Sequence, residues 1–225
     1  MGESVITKQN AYLDRTENQE GPARANRRAE LVVVDMWDQF ILDGRTFQMQ
    51  LGTEDAPINT TTSIDDQLVF AVADNPAGLT MIPSFLQLSI ATWTTSTLVN
   101  MMLEIDRALA RYSSGGTAYV PENLRTDRPR TASGTFYVGT DVTVIAKTAV
   151  PGSMEIWRHV GSEDNVGTST GAENANVSRY SAKELGMFAA IVGVGSALVH
   201  FGTASADATG YGSFCFVQVP SASVT

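Results

Sequence analysis

Charged side chains are scarce in this chain, at 17% of 225 residues, and only one cysteine and two histidines occur. The single Cys215 excludes an internal disulfide framework. His159 and His200 are too few for a typical zinc site, and no other cysteine is spaced to help them. Cys215 lies within an apolar run, which predicts a small buried hydrophobic residue. The sequence therefore predicts neither a disulfide-stapled domain nor a zinc protein.

Basic residues are also in the minority, and the formal net charge is −9. A dedicated nucleic-acid-binding protein normally carries a basic patch or stripe, so the charge argues against that class. Arginine outnumbers lysine by twelve to three. Arginine suits bidentate contacts with carboxylates at interfaces, where lysine is depleted, so the ratio favours a protein that assembles.

Patterns that would carry reaction chemistry are nearly absent. The stretch 167–171 matches the nucleophile-elbow pattern but lies in a polar segment with no helix after it, where that motif cannot work. The acidic residues have neither the spacing of a calcium loop nor that of an obvious glycosidase pair. We therefore predict that the chain is not an enzyme and binds no cofactor or metal.

The chain contains a repeated pattern of short alternating apolar runs separated by Gly, Pro, Asn, Asp and Ser clusters. This pattern is typical of an all-β protein. We predict an antiparallel β-sandwich or jelly roll of about 8–10 strands over 31–225. Residues 1–30 hold five acidic and five basic side chains and few large apolar ones. Such a segment cannot order itself alone, so we predict a flexible N-terminal arm.

The first predicted strand runs from Leu31 to about Leu42. Asp43 and Gly44 then form a predicted hairpin turn, because both residues tolerate positive φ. The alternation over 45–51 predicts a second strand, with its apolar side chains in the core and its polar ones facing out. The core residues of that strand are Phe47, Met49 and Leu51.

Further strands are predicted at 67–73, 85–93, 135–149, 153–160 and 211–219. The stretch 97–111 fits helical and strand spacing equally well, and its neighbours favour a strand. The uncharged stretch 185–206 is long enough for a transmembrane helix. Gly195 and Ser196 favour instead a hairpin turn between two buried strands, at 187–194 and 197–203. The segments 52–66, 112–133 and 161–183 are predicted loops.

Two arginine clusters are candidate subunit contacts. Their alternatives are ordinary solvation and, for the arm, nucleic-acid binding, which neighbouring glutamates oppose. In the arm the cluster would dock on a neighbouring subunit, and in the 112–133 loop it would pair with the acidic surface of another copy. The residues are Arg24, Arg27 and Arg28 in the arm, and Arg125, Arg128 and Arg130 in the loop.

A polar arm, eight or more antiparallel strands and no catalytic set together resemble a single jelly-roll capsid protein of an icosahedral virus. The resemblance spans about 31–220 and is architectural, resting on the opening 31–51 hairpin, the strands up to 185–203 and the closing 214–220 strand. It implies a structural virion protein that self-assembles into a capsid shell with other copies of itself and other capsid proteins. The near-neutral arm departs from capsids that bind RNA through an Arg-rich arm.

That departure is more typical of capsids built over a viral membrane or containing separately packaged DNA. No signal-peptide pattern is seen, so synthesis in the host cytoplasm is expected. Three alternatives stay open. One is a phage tail, decoration or receptor-binding protein, and another is a carbohydrate-binding β-sandwich, for which Trp37, Trp93 and Trp157 are the candidate aromatics. The third is a glycosidase or other enzyme, because a sandwich could bring distant carboxylates together.

Overall fold

The computed structural model describes residues 35–60, 67–93, 99–127, 130–161, 177–186, 188–203 and 208–223. Two antiparallel sheets pack against each other, which confirms the predicted all-β sandwich. Two α-helices and a 3-10 helix accompany them: α1 (Met36–Leu42), α2 (Ala182–Leu185) and Ser221–Ser223. The strands are β1 (Thr46–Leu51), β2 (Ile58–Asn59), β3 (Leu68–Asn75), β4 (Leu79–Trp93), β5 (Val99–Asp106), β6 (Tyr112–Ser114), β7 (Thr117–Ala118), β8 (Glu122–Asn123), β9 (Thr135–Val144), β10 (Ser153–Gly161), β11 (Val177–Ser181), β12 (Ile191–Val192), β13 (Gly195–Thr203) and β14 (Ala208–Pro220).

Eight of these strands form a jelly roll. The first sheet has the order β11-β4-β14-β1-β8, and the second has the order β10-β5-β13-β3-β9-β6. Along the chain the eight strands are β1, β3, β4, β5, β10, β11, β13 and β14. The first pairs with the eighth, the second with the seventh, the third with the sixth and the fourth with the fifth. This nesting of antiparallel pairs, divided over two sheets, is the jelly-roll topology.

The main core lies between the two sheets and is built by period-two alternation. Phe47, Met49 and Leu51 of β1 are at most 2% exposed, as their spacing predicts. On β1, Gln48 and Gln50 are half-buried on the other face. Thr46 was predicted to face out with them but is buried. Apolar residues of β3, β4, β5, β13 and β14 complete the same cluster.

The segment 36–42 is a helix, so its predicted strand is wrong. The side chain of Asp35 accepts a hydrogen bond from the amide nitrogen of Trp37 at 2.9 Å, which caps the first turn. The helix then packs Phe40 against Ile82 and Val217 on the outer face of the first sheet. Trp37, Phe40 and Ile41 have helical spacing, which places Trp37 and Phe40 on the side of the helix that packs on the sheet. Residues 31–34 lie outside the described part of the chain.

The predicted hairpin turn at Asp43 and Gly44 is the end of this helix. Asp43 is the C-cap, and Gly44 has φ of 65°, the left-handed conformation that terminates helices. The same Asp-Gly pair that suits a hairpin also suits a helix C-terminus. The segment before the pair decides which structure forms, and here that segment is the helix α1.

The stretch 185–206 contains strands, as predicted, but they do not form a hairpin. Strand β12 pairs with β4 in the first sheet, whereas β13 pairs with β3 and β5 in the second. Gly193, with φ of 75°, lies in the turn between the sheets, and Gly195 and Ser196 already belong to β13. Within the described ranges, no helix has both the length and the apolar character needed to cross a bilayer.

The other predicted strands are present with shifted boundaries. The ambiguous 97–111 stretch contains β5, a strand buried on both faces. Strand β4 begins at Leu79, six residues before the predicted start at 85, so Pro83 lies inside the strand. The β4–β14 register shifts beside Pro83, and a bulge is where a sheet tolerates a proline. Three predicted loops contain short strands or the start of one: β2 in the first, β6–β8 in the second and β11 in the third.

The register gives the sandwich two distinct ends. At one, here called the network end, lie the short β3–β4 turn, the β12–β13 turn and the long 107–152 excursion between β5 and β10, which contains β6–β9. At the other, the loop end, strands are joined by the connections 52–67, 94–98, 162–176 and 204–207. Much of those four connections lies outside the described residues.

Candidate functional site

One lateral side of the sandwich has uncovered strand edges. Strand β10 pairs only with β5, and β11 only with β4, among the described residues. On the opposite side, β1 is flanked by β8, while β9 covers β3 and is itself paired with β6 and β7. An open edge presents unpaired backbone donors and acceptors, so the β10/β11 side can accept a further strand or another protein surface.

Apolar side chains are exposed along these open edges. Met154 and Val160 of β10 are 42% and 46% exposed, and Val177 of β11 is 51% exposed. Between them, Arg158 forms an ion pair with Glu155 at 2.6 Å. A register irregularity between Glu155 and Trp157 twists the edge locally, a feature that discourages indefinite strand addition. The irregularity therefore limits open-ended strand addition at this edge.

A second exposed apolar area lies around α1, at the network end. Trp37 meets Phe188 edge-to-face with ring centroids 5.9 Å apart. Phe188, Leu185 and Val192 are each about half exposed. We call Met36, Trp37, Leu185, Phe188 and Val192 the α1 patch. Exposed apolar groups of this kind mark surfaces that meet other proteins.

The predicted interface arginines are only partly described. Arg24, Arg27, Arg28 and Arg128 lie outside the described residues. Arg125 has partners within its own chain, because its side chain donates to the Leu42 carbonyl oxygen and pairs with Asp127 at 2.6 Å. Arg130 is exposed, and its described contact is through its backbone carbonyl. The interface role of these arginines stays a prediction.

A buried arginine that sequence reasoning missed organises the network end. Arg111 is fully buried and pairs with the equally buried Asp106, with Nε and Oδ2 2.7 Å apart. Its Nη1 and Nη2 donate to the carbonyl oxygens of Ile145 and Val150, at 2.8 and 2.5 Å. The guanidinium thus ties both ends of the 145–150 segment to the end of β5. A buried pair of this kind is stable only when its remaining hydrogen bonds are satisfied, as they are here.

Asp74 joins the same network from β3. Its Oδ1 accepts hydrogen bonds from the Ser196 hydroxyl at 2.5 Å and the Arg111 amide at 3.1 Å, and its Oδ2 accepts from the Tyr112 amide at 3.1 Å. Burial raises the pKa of Asp74, although these hydrogen bonds oppose the shift. The carboxyl fixes the start of β6 against β3 and β13.

Two amide side chains extend the network to the first sheet. Gln218 donates to Asn75 Oδ1 at 2.9 Å and to the Ser133 carbonyl oxygen at 2.7 Å, and its own oxygen accepts from the Ser133 amide. Asn75 in turn donates to the carbonyl oxygens of Leu79 and Gly193, each at 2.7 Å. These contacts hold three connections together, so the role of the polar residues here is structural.

A second charged cluster lies on the outer face of the second sheet. Glu104 Oε2 is 3.0 Å from both His200 Nε2 and Lys147 Nζ. Burial alone would raise the pKa of Glu104, but hydrogen bonds from His200, Ser153 and Lys147 lower it to about 2. Burial lowers the pKa of His200. The arrangement is an ionised carboxylate beside a neutral imidazole.

The described side chains offer little reaction chemistry. Burial raises the pKa of Cys215 to about 11, so its thiol is protonated and unreactive near neutral pH. Within the described ranges, no three His, Cys, Asp or Glu residues are grouped so that they could hold a metal. Trp37 and Trp157 pack against core clusters, and the side chain of Trp93 is not described. The elbow-like 167–171 stretch lies outside the described residues.

Charge is divided unequally between the two ends. The four connections that start and finish at the loop end contain no Lys or Arg. Their acidic residues are Glu54, Asp55, Asp65, Asp66, Glu163, Asp164, Glu173 and Asp207. The network end mixes both signs, with Arg107, Arg125 and Lys147 beside Glu122 and Asp127.

Sequence reasoning missed Arg111, Asp74, Glu104 and the pairing of His200. Charged residues in a strand pattern are normally assigned to the solvent face, and both faces of β5 are buried here. The available signal was the near-continuous apolar character of β3 and β13, which indicates a sheet covered on both sides.

Comparison of the chain with protein-family models, with curated proteins and with solved structures finds no match.

Proposed function

We propose that this chain is a structural subunit that self-assembles into a viral capsid shell. The observation that carries the proposal is the jelly-roll strand order combined with an uncovered β10/β11 side. Jelly rolls are used by capsid proteins, lectins and cupins, so the topology alone leaves several functions open. The open edges and the exposed Met154, Val160 and Val177 favour a capsid protein, because a capsid subunit binds other copies of itself.

A closed shell needs two different surfaces that bind each other on neighbouring copies. The open side and the α1 patch are two such candidate surfaces, and they lie on different parts of the molecule. The arginine contacts predicted at Arg125 and Arg130, and in the arm, would add to them. Partners in this proposal are other copies of the chain and other capsid proteins, and the location is the virion.

The acidic loop end supports the part of the proposal that assigns no strong nucleic-acid binding. Its connections carry eight carboxylates and no compensating base. Carboxylates without a compensating base repel phosphate, so we expect these connections to face away from a packaged genome. The carbohydrate-binding alternative receives less support, because Trp37 and Trp157 pack against the core and are not free platforms for sugars.

Particle size tests the proposal. The purified full chain is analysed by size-exclusion chromatography with multi-angle light scattering and by negative-stain electron microscopy over a range of concentrations. We expect rings or shells. Val160→Lys places a charge on the open β10 edge and should weaken assembly, whereas Thr117→Lys, on the covered opposite side, is the matched control and should not.

Two outcomes would overturn the proposal. One is a monomer at every concentration, above all with specific glycan binding, which would favour the carbohydrate-binding alternative. The other is assembly that Val160→Lys and Thr117→Lys disturb equally, because then the open side is not the contact.

A further inference from the structure

We infer that Glu104, His200 and Lys147 form an acid-sensitive latch that holds the 145–152 connection against the outer face of the second sheet. The inference is independent of the proposed capsid function. It rests on three observations: one carboxylate oxygen serves two basic groups, one imidazole nitrogen has no partner, and the competing lysine lies on the connection itself.

The first observation is the shared oxygen. His200 Nε2 and Lys147 Nζ each lie 3.0 Å from Oε2 of Glu104. Because Glu104 is ionised, its oxygen accepts both hydrogen bonds, so the neutral imidazole carries its hydrogen on Nε2. One carboxylate charge is thus balanced by Lys147, with His200 as a neutral donor beside it.

The second observation is the other imidazole nitrogen. His200 is 1% exposed, and its Nδ1 is buried without a hydrogen-bond partner. A bare acceptor without a donor costs little compared with a buried charged N–H that has no acceptor. Protonation would therefore create an unpaired donor and a second positive charge beside one carboxylate.

The third observation concerns which cation can leave. His200 is fixed in the middle of β13, between β3 and β5. Lys147 is 18% exposed and belongs to the connection between β9 and β10. When His200 becomes charged, the two cations compete for Glu104, and the side chain that can reach water is Lys147. Acid should therefore release the lysine and loosen its segment.

The neighbouring charges do not remove this conflict. Strand β5 contributes Glu104, and β10 contributes Arg158 and Glu155, which pair with each other. Lys147 and Arg158 both oppose a positive charge on His200, and Glu104 favours it. Strand β3 contributes apolar Val69 and Val72 to this face and, toward the network end, the buried Asp74, which accepts a hydrogen bond from Ser196. Asp106 of β5 lies there too and is paired with Arg111.

The expected effect follows from proton linkage. When the connection opens, His200 gains access to water and binds a proton with the ordinary pKa near 6.5, whereas burial lowers its pKa in the closed form. The open state then binds more protons, so opening increases as the pH falls below about 6.5. For one proton the opening equilibrium rises about tenfold from pH 7.5 to 5.5.

Hydrogen exchange of backbone amides measures this opening. The reporters are the amides of Ile145, bonded to the Arg111 carbonyl, and Val150, bonded to the Ala146 carbonyl. After correction for intrinsic exchange, we expect their protection in the full chain to fall about tenfold from pH 7.5 to 5.5. The Tyr119 amide, bonded to the Phe136 carbonyl, is the internal control and should not change.

The two histidines provide matched variants. His200→Gln keeps a donor for Glu104 but cannot titrate, so its protection should not depend on pH. His159→Gln changes the exposed histidine and should behave as the wild type. If His200→Gln does not fold, Lys147→Gln replaces it. Without the latch cation, the protection of the Val150 amide at pH 7.5, corrected for intrinsic exchange, should be as low as that of the wild type at pH 5.5.

The latch is refuted if wild-type protection at Ile145 and Val150 is the same at both pH values. A pH-dependent loss that persists undiminished in His200→Gln, or that disappears in His159→Gln, would also refute it, because the titrating group would then be another one. Protection in Lys147→Gln equal to that of the wild type at pH 7.5 would remove the lysine from the mechanism.

Discussion

The two ends of this sandwich are held in place by different kinds of contact. At the network end, buried polar side chains tie the connections to the strands in fixed directions: Arg111, Asp74 and Gln218 each bind two or more partners. At the loop end, the described residues include a buried bond from the hydroxyl of Thr60 to the Ala208 carbonyl oxygen, at 3.0 Å.

The two kinds of contact differ in how well each end of the jelly roll tolerates substitutions. A buried network tolerates no missing partner, because each orphaned polar group loses its solvation without compensation. Connections that are not tied in this way can vary in sequence and charge, and such connections commonly carry function. In the sequence, the connections assigned to the loop end carry most of the excess acidic charge.

Removing the central cation of the network should have the largest effect. Arg111→Met leaves Asp106 buried without its partner and frees two carbonyl oxygens, so we expect the free energy of unfolding to fall by about 3–5 kcal/mol. Arg125→Met breaks the exposed pair with Asp127, which solvent screens, so it should lower the free energy of unfolding far less. Urea denaturation of both variants measures the difference, and equal losses would contradict the contrast.

Acid should remove the contribution of Glu104, which lies between the two ends. Its pKa in the folded state is about 2, against 4.5 in the unfolded state, so its stabilisation is complete above pH 4.5 and disappears as the pH falls toward 2. The shift corresponds to about 3 kcal/mol. Between pH 5 and pH 2, the free energy of unfolding measured by urea denaturation should fall more steeply with pH for the wild type than for Glu104→Gln. Identical pH profiles would show that the carboxylate is not held as described.

Matched losses of side-chain hydrogen bonds compare the two ends directly. Gln218→Leu leaves the buried Asn75 Oδ1 without its donor and removes two bonds to the Ser133 backbone, so it should cost about 2 kcal/mol. Thr60→Val removes one hydroxyl bond at the loop end and should cost about 1 kcal/mol. Thermal unfolding with a two-state analysis measures both. A larger loss of unfolding free energy for Thr60→Val than for Gln218→Leu would contradict the stronger polar tie at the network end.

The smallest effect is expected from the acidic charge itself. Glu54 and Asp55 are exposed on the loop-end connection between β1 and β2, with no basic residue in that connection. Replacing them by Gln and Asn should raise the unfolding free energy by about 0.5 kcal/mol or less at low salt, and the gain should vanish at high salt. Glu122→Gln, at the network end where charges are mixed, is the control. A gain that is independent of salt would exclude repulsion as its cause.

Much of the fold could be predicted from the alternation of apolar residues. Phe47, Met49 and Leu51 on β1 and Leu86 and Leu88 on β4 lie in the core where their period of two places them. The helix α1 was not predicted, because four β-branched or long apolar residues precede it and favour a strand locally. Its helical form depends on the cap at Asp35 and on a sheet face for Phe40.

The candidate surfaces were less accessible to sequence reasoning. The arginines at 125–130 could be named from their density. The contact of Arg125 with the Leu42 carbonyl oxygen could not be predicted, because Leu42 is distant in the sequence. Which strand edges stay open depends on the order of strands in each sheet. That order pairs residues more than a hundred positions apart, such as those of β1 and β14.

The sequence by itself determined the period of the strands, the identity of most core residues and the excess of negative charge, because these depend on local alternation and composition. Tertiary structure decided which strands pair, which edges stay open and which charged residues are buried. It also decided that the strands flanking the acidic connections end on the same side of the sandwich. Burial and partnership depend on distant segments coming together, so a charged residue such as Arg111 or Glu104 reads as exposed until the sheets close around it.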